Sequence, residues 1–165
     1  MIDKMIRKAE LNEMPSILPL YEKARVYMRE NGNPTQWKEG YPSETQLKQD
    51  IEEGNYYVIV DEGRILGGFS FIIGIEPTYR EIDGAWLNHN PYGTIHRLVS
   101  GGLVKGIADM CIAFCAGLID ELRIDTHEDN HPMRKAIERN GFTYCGIIKV
   151  ADGSPRLGFH KTTKL

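Results

Sequence analysis

The 165 residues and 18.7 kDa of this chain fit one domain, 1–165, that can bury most of its apolar surface without staples. A hydrophobic fraction of 41% with 26% charged residues excludes a chain too polar to fold, and the apolar stretches are too short to span a bilayer. Twenty Lys and Arg against 23 Asp and Glu leave a net charge of −3, which offers no broad cationic surface for nucleic acid or anionic lipid. The three cysteines, Cys111, Cys115 and Cys145, form no CxxC pair and argue for reduced thiols packed in a core rather than a disulfide framework or a zinc site. The N-terminal residues lack the apolar run of a signal peptide, so a cytoplasmic location is expected.

In chain order, residues 5–9 read as a first strand and 12–31 as a helix whose buried face carries Ile17, Leu20, Tyr21, Ala24 and Met28, with Gly32 as its stop. Pro15 suits the first turn, whereas Pro19 predicts a kink or a later start. The Gly- and Pro-rich stretch 32–42 is a loop that carries Trp37 and Tyr41, the kind of residues that line sites. Ser43 and Gln46 form a capping-box pattern for a second helix through residue 53, ended by Gly54. Residues 56–60 and 65–73 read as a hairpin, and 74–92 as a long irregular segment containing Trp86. Strand 94–100, a helix from about 105 to 116, strand 122–126, helix 130–139 and a final hairpin of 143–150 with 156–161 complete the order. The pattern is α/β with mixed pairing, not strict βαβ winding.

The most informative stretch passes from a β-rich run through Gly101-Gly102 into a helix, by way of Leu103, Val104, Lys105, Gly106, Ile107 and Ala108. Such a turn presents backbone N–H groups at a helix N-terminus, where partial positive charge favours phosphate; Lys105 adds a cation and the small Gly106 and Ala108 permit close approach. It matches neither a P-loop nor a dinucleotide-binding fingerprint. A plain strand-to-helix turn is the alternative.

Together with residues 130–142 this stretch resembles the GNAT superfamily of acyl-CoA-dependent N-acetyltransferases. The family signature places Gln or Arg first, Gly three residues later and Gly or Ala two beyond that. Gly106 and Ala108 match the last two positions, and Asn130 precedes the Gly141-Phe142 pair by the family's usual eleven residues. Leu103 stands where the family prefers Gln or Arg, and Ile137 where many members carry a tyrosine that protonates the departing thiolate; Tyr144 is a substitute or else an aromatic of the core.

The resemblance implies an α+β fold with a mostly antiparallel sheet of six to seven strands flanked by about four helices. It implies acetyl-CoA as donor, held by residues 103–108 and Asn130, with main chain around His96, Arg97 and Leu98 serving the pantetheine arm and the oxyanion. The acceptor is a small-molecule or peptidyl primary amine, walled by Trp37 and Tyr41 with Trp86 opposite, and favoured as a cation by Glu39, Glu81 or Asp83. An amine of pKa ~10 must lose a proton. Asp125, His127 and His96 are the candidate bases, the alternative for the first two being a solvated strand end beside a helix cap. The family's members are often dimers, which admits a homodimer here. A non-catalytic acyl-CoA-binding module is the competing reading, motivated by Ile137, and a phosphate-binding fold without acyl transfer is a third.

Overall fold

The computed structural model describes residues 4–37 and 40–163; Glu39 and the first three residues fall outside them. The elements are β1 (Lys4–Lys8), α1 (Met14–Glu30), α2 (Glu44–Glu52), β2 (Tyr56–Asp61), β3 (Arg64–Ile73), β4 (Asp83–Gly84), β5 (Gly93–Ser100), α3 (Ile107–Ala116), β6 (Glu121–Thr126), α4 (His131–Arg139), β7 (Thr143–Lys149) and β8 (Pro155–Thr162). The strands follow the sheet order β1-β2-β3-β5-β6-β8-β7-β4, mostly antiparallel. The eight strands exceed the six to seven expected because two-residue β4, inside the segment read as irregular, pairs with β7 at Asp83↔Ile147 and Gly84↔Gly146. Both glycines are needed there: a Cβ on Gly84 would lie 2.1 Å from the Cys145 carbonyl oxygen. The chain falls into two compact units.

The first unit holds the chain up to Phe71 and His96–Cys111. Its hairpin turns at Glu62 and Gly63, both with positive φ, as the I′ geometry of a two-residue connection demands. The helix expected from residue 12 begins instead as a 3-10 turn, Leu11–Glu13, because the Glu13 carboxylate is drawn to the Glu10 N–H at 2.9 Å and to Arg7 at 2.7 Å. From Met14, α1 continues through Pro19. Gly32, at φ 81°, lets the chain turn back so that the Asn33 N–H reaches the Met28 carbonyl at 2.8 Å. Ser43 caps α2 through the Gln46 N–H, but Gln46 turns its amide to Asp50 rather than closing the box. Ile17, Tyr21 and Leu47, all but fully buried, pack with Ile51, Tyr56, Val58 and Val99. Burial of each aliphatic side chain stabilises the unit by ~1.5–3 kcal/mol.

The second unit holds Ile72–Ile95 and the chain from Ile112. The start of β5 pairs in parallel with β6 at Gly93↔Leu122 and Thr94↔Arg123, while β6, β8 and β7 form antiparallel ladders. The segment before β5 is folded, not loose: Tyr79, Trp86 and Tyr92 join Cys145 and Ile148 in a core. Trp86 donates through Nε1 to the Tyr79 carbonyl at 2.9 Å and lies on the sheet where Gly158 leaves room, since a Cβ there would come 2.9 Å from the indole. Beneath it is a buried polar cluster. The His160 Nδ1 accepts from the Leu87 N–H, so its proton sits on Nε2 and is donated to the Glu121 carboxylate at 2.9 Å. Asn88 and Thr162 donate to the same carboxylate.

All three cysteines are free and buried, and no helix of the described residues is long and apolar enough to cross a membrane.

Candidate functional site

The turn from β5 into α3 belongs wholly to the first unit. The Gly101 N–H bonds the Leu66 carbonyl at 2.8 Å, and a Cβ on Gly101 would press to 3.0 Å from Leu20, so this residue clamps the end of β5 against β3 and α1. Gly102 and Gly106 then carry φ values of 76° and 85°. At Gly106 that conformation is not helical, which is why α3 begins at Ile107 and not at residue 105; the Met110 N–H takes the Gly106 carbonyl as the first helical bond. Among the described residues, no acceptor bonds the N–H groups of Val104, Lys105, Gly106, Ile107 or Ala108. A helix start leaves such donors without intrahelical partners. The space over the turn is open as well: a Cβ on Gly106 would meet nothing closer than the Asp109 carboxylate at 3.8 Å. Leu103 and Lys105 are exposed, Val104 and Ala108 half-buried, and Ile107 buried, anchoring the helix start in the core. Lys23 on α1, absent from the sequence reading, bonds the Gly101 carbonyl at 3.0 Å and brings a second cation to this turn. It flanks the apolar stripe of α1, and nothing in its spacing distinguishes it from a solvated lysine.

On β5 the structure gives Arg97 a distinctive backbone and side-chain setting. Its φ of 54° is rare for a residue other than glycine, and its carbonyl accepts from the Tyr21 hydroxyl. The side chain turns to Asp50: Nε donates to Oδ2 at 2.8 Å, and Ser70 donates to the same oxygen at 2.6 Å. Burial disfavours the guanidinium charge, but Asp50 and the neighbouring Tyr41 phenol outweigh it and raise the pKa of Arg97. Asp50 is a partner that the sequence analysis does not single out; its one signal is a carboxylate at helical spacing from the apolar Leu47 and Ile51, with which it is buried on α2. Trp37 stands between Tyr21 and Tyr41, with ring centroids 5.5 and 6.4 Å away. The structure thus brings Trp37, Tyr41 and Arg97 together in one unit, with half-buried His96 and Leu98 beside Arg97 on β5.

In the second unit, Asp125 is half-buried and its Oδ2 accepts from the Tyr79 hydroxyl at 2.6 Å. Burial and then the Asp125 charge hold the Tyr79 pKa well above that of a free tyrosine, which keeps the phenol a donor to the carboxylate. Sequence reasoning missed this partner, whose one signal is its place in a Pro-led turn, Pro77–Tyr79. His127 sits beside the helix cap, its Nδ1 accepting from the Asp129 N–H at 3.0 Å. Asn130 caps α4, its side-chain oxygen accepting the Met133 N–H at 3.2 Å. Tyr144 is 52% exposed and pairs with Phe159, while Asp125 pairs with Gly158, so strand alternation places them on opposite faces. Tyr144 lines a recess of about 220 Å³ with Glu128, Arg134, Glu138, Leu157 and Phe159. Ile137, at the position of the family tyrosine, is fully buried. Trp86 is corrected from an acceptor wall to a core residue, stacked on by the Arg123 guanidinium at 4.3 Å.

Comparison with solved structures places this arrangement. A GNAT-family acetyltransferase from Streptococcus agalactiae is similar over 98% of this chain and 96% of its own, with 31% identity and a TM-score of 0.89. A GNAT-family acetyltransferase from Listeria monocytogenes shares the fold at 21% identity, covering 96% and 94% of the two chains, with a TM-score of 0.72. N-acetylglutamate synthase from Neisseria gonorrhoeae, solved with coenzyme A and N-acetyl-glutamate, shares it at 15% identity over 99% of this chain and 36% of that one, with a TM-score of 0.60. No family model and no curated protein matches the sequence. The chain belongs to the GNAT family of acetyltransferases, and its enzymatic class is that of an acyltransferase.

Proposed function

We propose that this chain transfers an acetyl group from acetyl-CoA to a primary amine of a small molecule or peptide by direct attack, in the cytoplasm. The observation that carries the reading is the run of N–H groups from Val104 to Ala108 without protein acceptors, opening a helix across two positive-φ glycines. Those donors, with Lys23 and Lys105 nearby, fit a diphosphate. Main-chain donation does not depend on the side chain at position 103, which is why Leu103 is compatible with the site. The coenzyme A bound to the N. gonorrhoeae structure supports the same donor class.

When bound, acetyl-CoA supplies a thioester whose acyl carbon is open to an amine. The chain's own part is to bind the diphosphate, orient the arm along the main chain of His96 and Leu98, present Trp37 and Tyr41 to the acceptor, and take its proton. Asp125, His96 and His127 are the candidates for that base, and Asp125 is the one we test, with Tyr79 as its positioning residue; a carboxylate accepts an ammonium proton directly or through water. No covalent intermediate on the chain is required, and the three buried cysteines stay inert.

The test is calorimetry of coenzyme A together with thiol release from acetyl-CoA across a panel of amines. Saturable binding with thiol release for at least one amine is the expected result. Binding without release from any amine leaves a non-catalytic binding module, and equal stabilisation by unrelated nucleotides leaves a phosphate site without acyl transfer.

A further inference from the structure

We infer that the acceptor amine also carries a carboxylate, and that the terminal guanidinium nitrogens of Arg97, with the Tyr41 phenol, hold it. The inference rests on the acetyl-transfer reading above and adds the chemical class of its acceptor.

The Arg97 side chain is 10% exposed, and its only ion pair among the described residues runs from Nε to Asp50. Asp50 is fully engaged in that arrangement: Oδ1 takes the Gln46 amide at 3.0 Å, and Oδ2 takes both Ser70 and Arg97. The carboxylate therefore fixes the guanidinium from one side, through Nε. Among the described residues, the carboxylate contact of the guanidinium runs through Nε, and the Tyr41 phenol is hydrogen-bonded to the same guanidinium. Two further features fix the backbone that carries the side chain. The residue sits in a left-handed conformation on β5, and its carbonyl is pinned by Tyr21, whose hydroxyl also bonds that of Tyr56 at 2.8 Å.

A planar fork of parallel N–H donors matches a carboxylate in two-point contact. Trp37 and the 40%-exposed Tyr41 give the neighbouring apolar wall, so that a compact amine bearing a carboxylate fits better than a bare polyamine. Phosphate would satisfy the same fork, and the experiment separates the two.

Thiol release is measured with matched acceptors: amino acids, their carboxamides, and an amine bearing a phosphate. The expected result is kcat/KM at least about tenfold higher for carboxylates than for carboxamides, expressed mainly in KM, the size expected for a charge-assisted hydrogen bond. In Arg97→Gln the preference collapses toward unity, Arg97→Lys restores part of it, and Tyr41→Phe, on an exposed ring that leaves the ion pair intact, reduces it about threefold. Circular dichroism and coenzyme A calorimetry on each variant show that fold and donor binding persist; if Arg97→Gln does not fold, Tyr41→Phe decides. Carboxamides turned over as well as carboxylates, or a preference for the phosphate-bearing amine, overturn the inference while leaving acetyl transfer standing. Failure of every acceptor, with no coenzyme A bound, overturns both.

Discussion

Each unit buries a carboxylate beside a cationic or potentially cationic partner, and the two clusters are built differently. In the second unit, Glu121 receives hydrogen bonds from His160, Asn88 and Thr162, while the other ring nitrogen of His160 is taken by Leu87. The Glu121 carboxylate and both ring nitrogens of His160 are thus closed on protein partners, although the neighbouring Arg123 Nε is buried without one. In the first unit, Asp50 is engaged by Gln46, Ser70 and the Nε of Arg97, and among the described residues the turn from Val104 to Ala108 offers its N–H groups to no acceptor. Buried polar groups are normally satisfied, so the closed cluster reads as architecture and the open donors as places for a ligand. Substitutions in the first cluster should change catalysis and those in the second should change stability.

The largest effect is expected at Glu121. Glu121→Ala strands the buried His160 Nε2–H with Asn88 and Thr162, costing about 1–3 kcal/mol for each donor left unsatisfied, read in urea unfolding. The same cluster sets an acid limit. Burial lowers the His160 pKa despite Glu121, so the unfolded chain binds a proton near 6.5 before the folded one does. Stability is therefore complete above that pH and falls as pH drops below it. Glu121 acts in the same sense at lower pH: burial alone would raise its pKa, but its hydrogen-bond donors outweigh that and lower it. His160→Gln should flatten the first part of the fall; an unchanged pH profile would show that another group sets it.

Next comes the proton acceptor. Asp125→Asn should lower kcat by about 100-fold, in the range for loss of a general base, with coenzyme A affinity unchanged. A matching loss of affinity would instead mean that the residue shapes the donor site. The smallest effect is at the turn. Ala108→Pro removes one N–H at the second position of α3, a place where α1 and α4 already carry Pro15 and Pro132. It should weaken coenzyme A by about tenfold, the magnitude of one charge-assisted bond. Gly106→Val is the poorer probe: the added Cβ meets no close neighbour, but at φ 85° a β-branched residue would reshape the turn itself.

Much of this was legible in the sequence where the signal is local. The glycines of the β5–α3 turn, Asn130 before α4 and the strong periodicities placed the four helices and seven of the strands within a few residues. What escaped depends on contacts distant in the chain. The short strand β4 exists because Gly84 and Gly146 allow two backbones to approach, which no periodicity in 74–92 announces. Tyr79 meets Asp125 across 46 residues of chain, and Arg97 meets Asp50 across 47. Trp86 shows the converse: an aromatic in an apparently irregular segment was read as a wall, although a glycine at position 158 had made room for it in the core.

The most direct test is the amide nitrogen–proton NMR spectrum of the isotopically labelled protein, titrated with coenzyme A and, in parallel, with its desphospho-pantetheine portion lacking the diphosphate. The account predicts that the amide resonances of Val104 through Ala108 move downfield and gain protection from exchange with coenzyme A but not with the truncated compound. Binding that leaves those five resonances in place would contradict it.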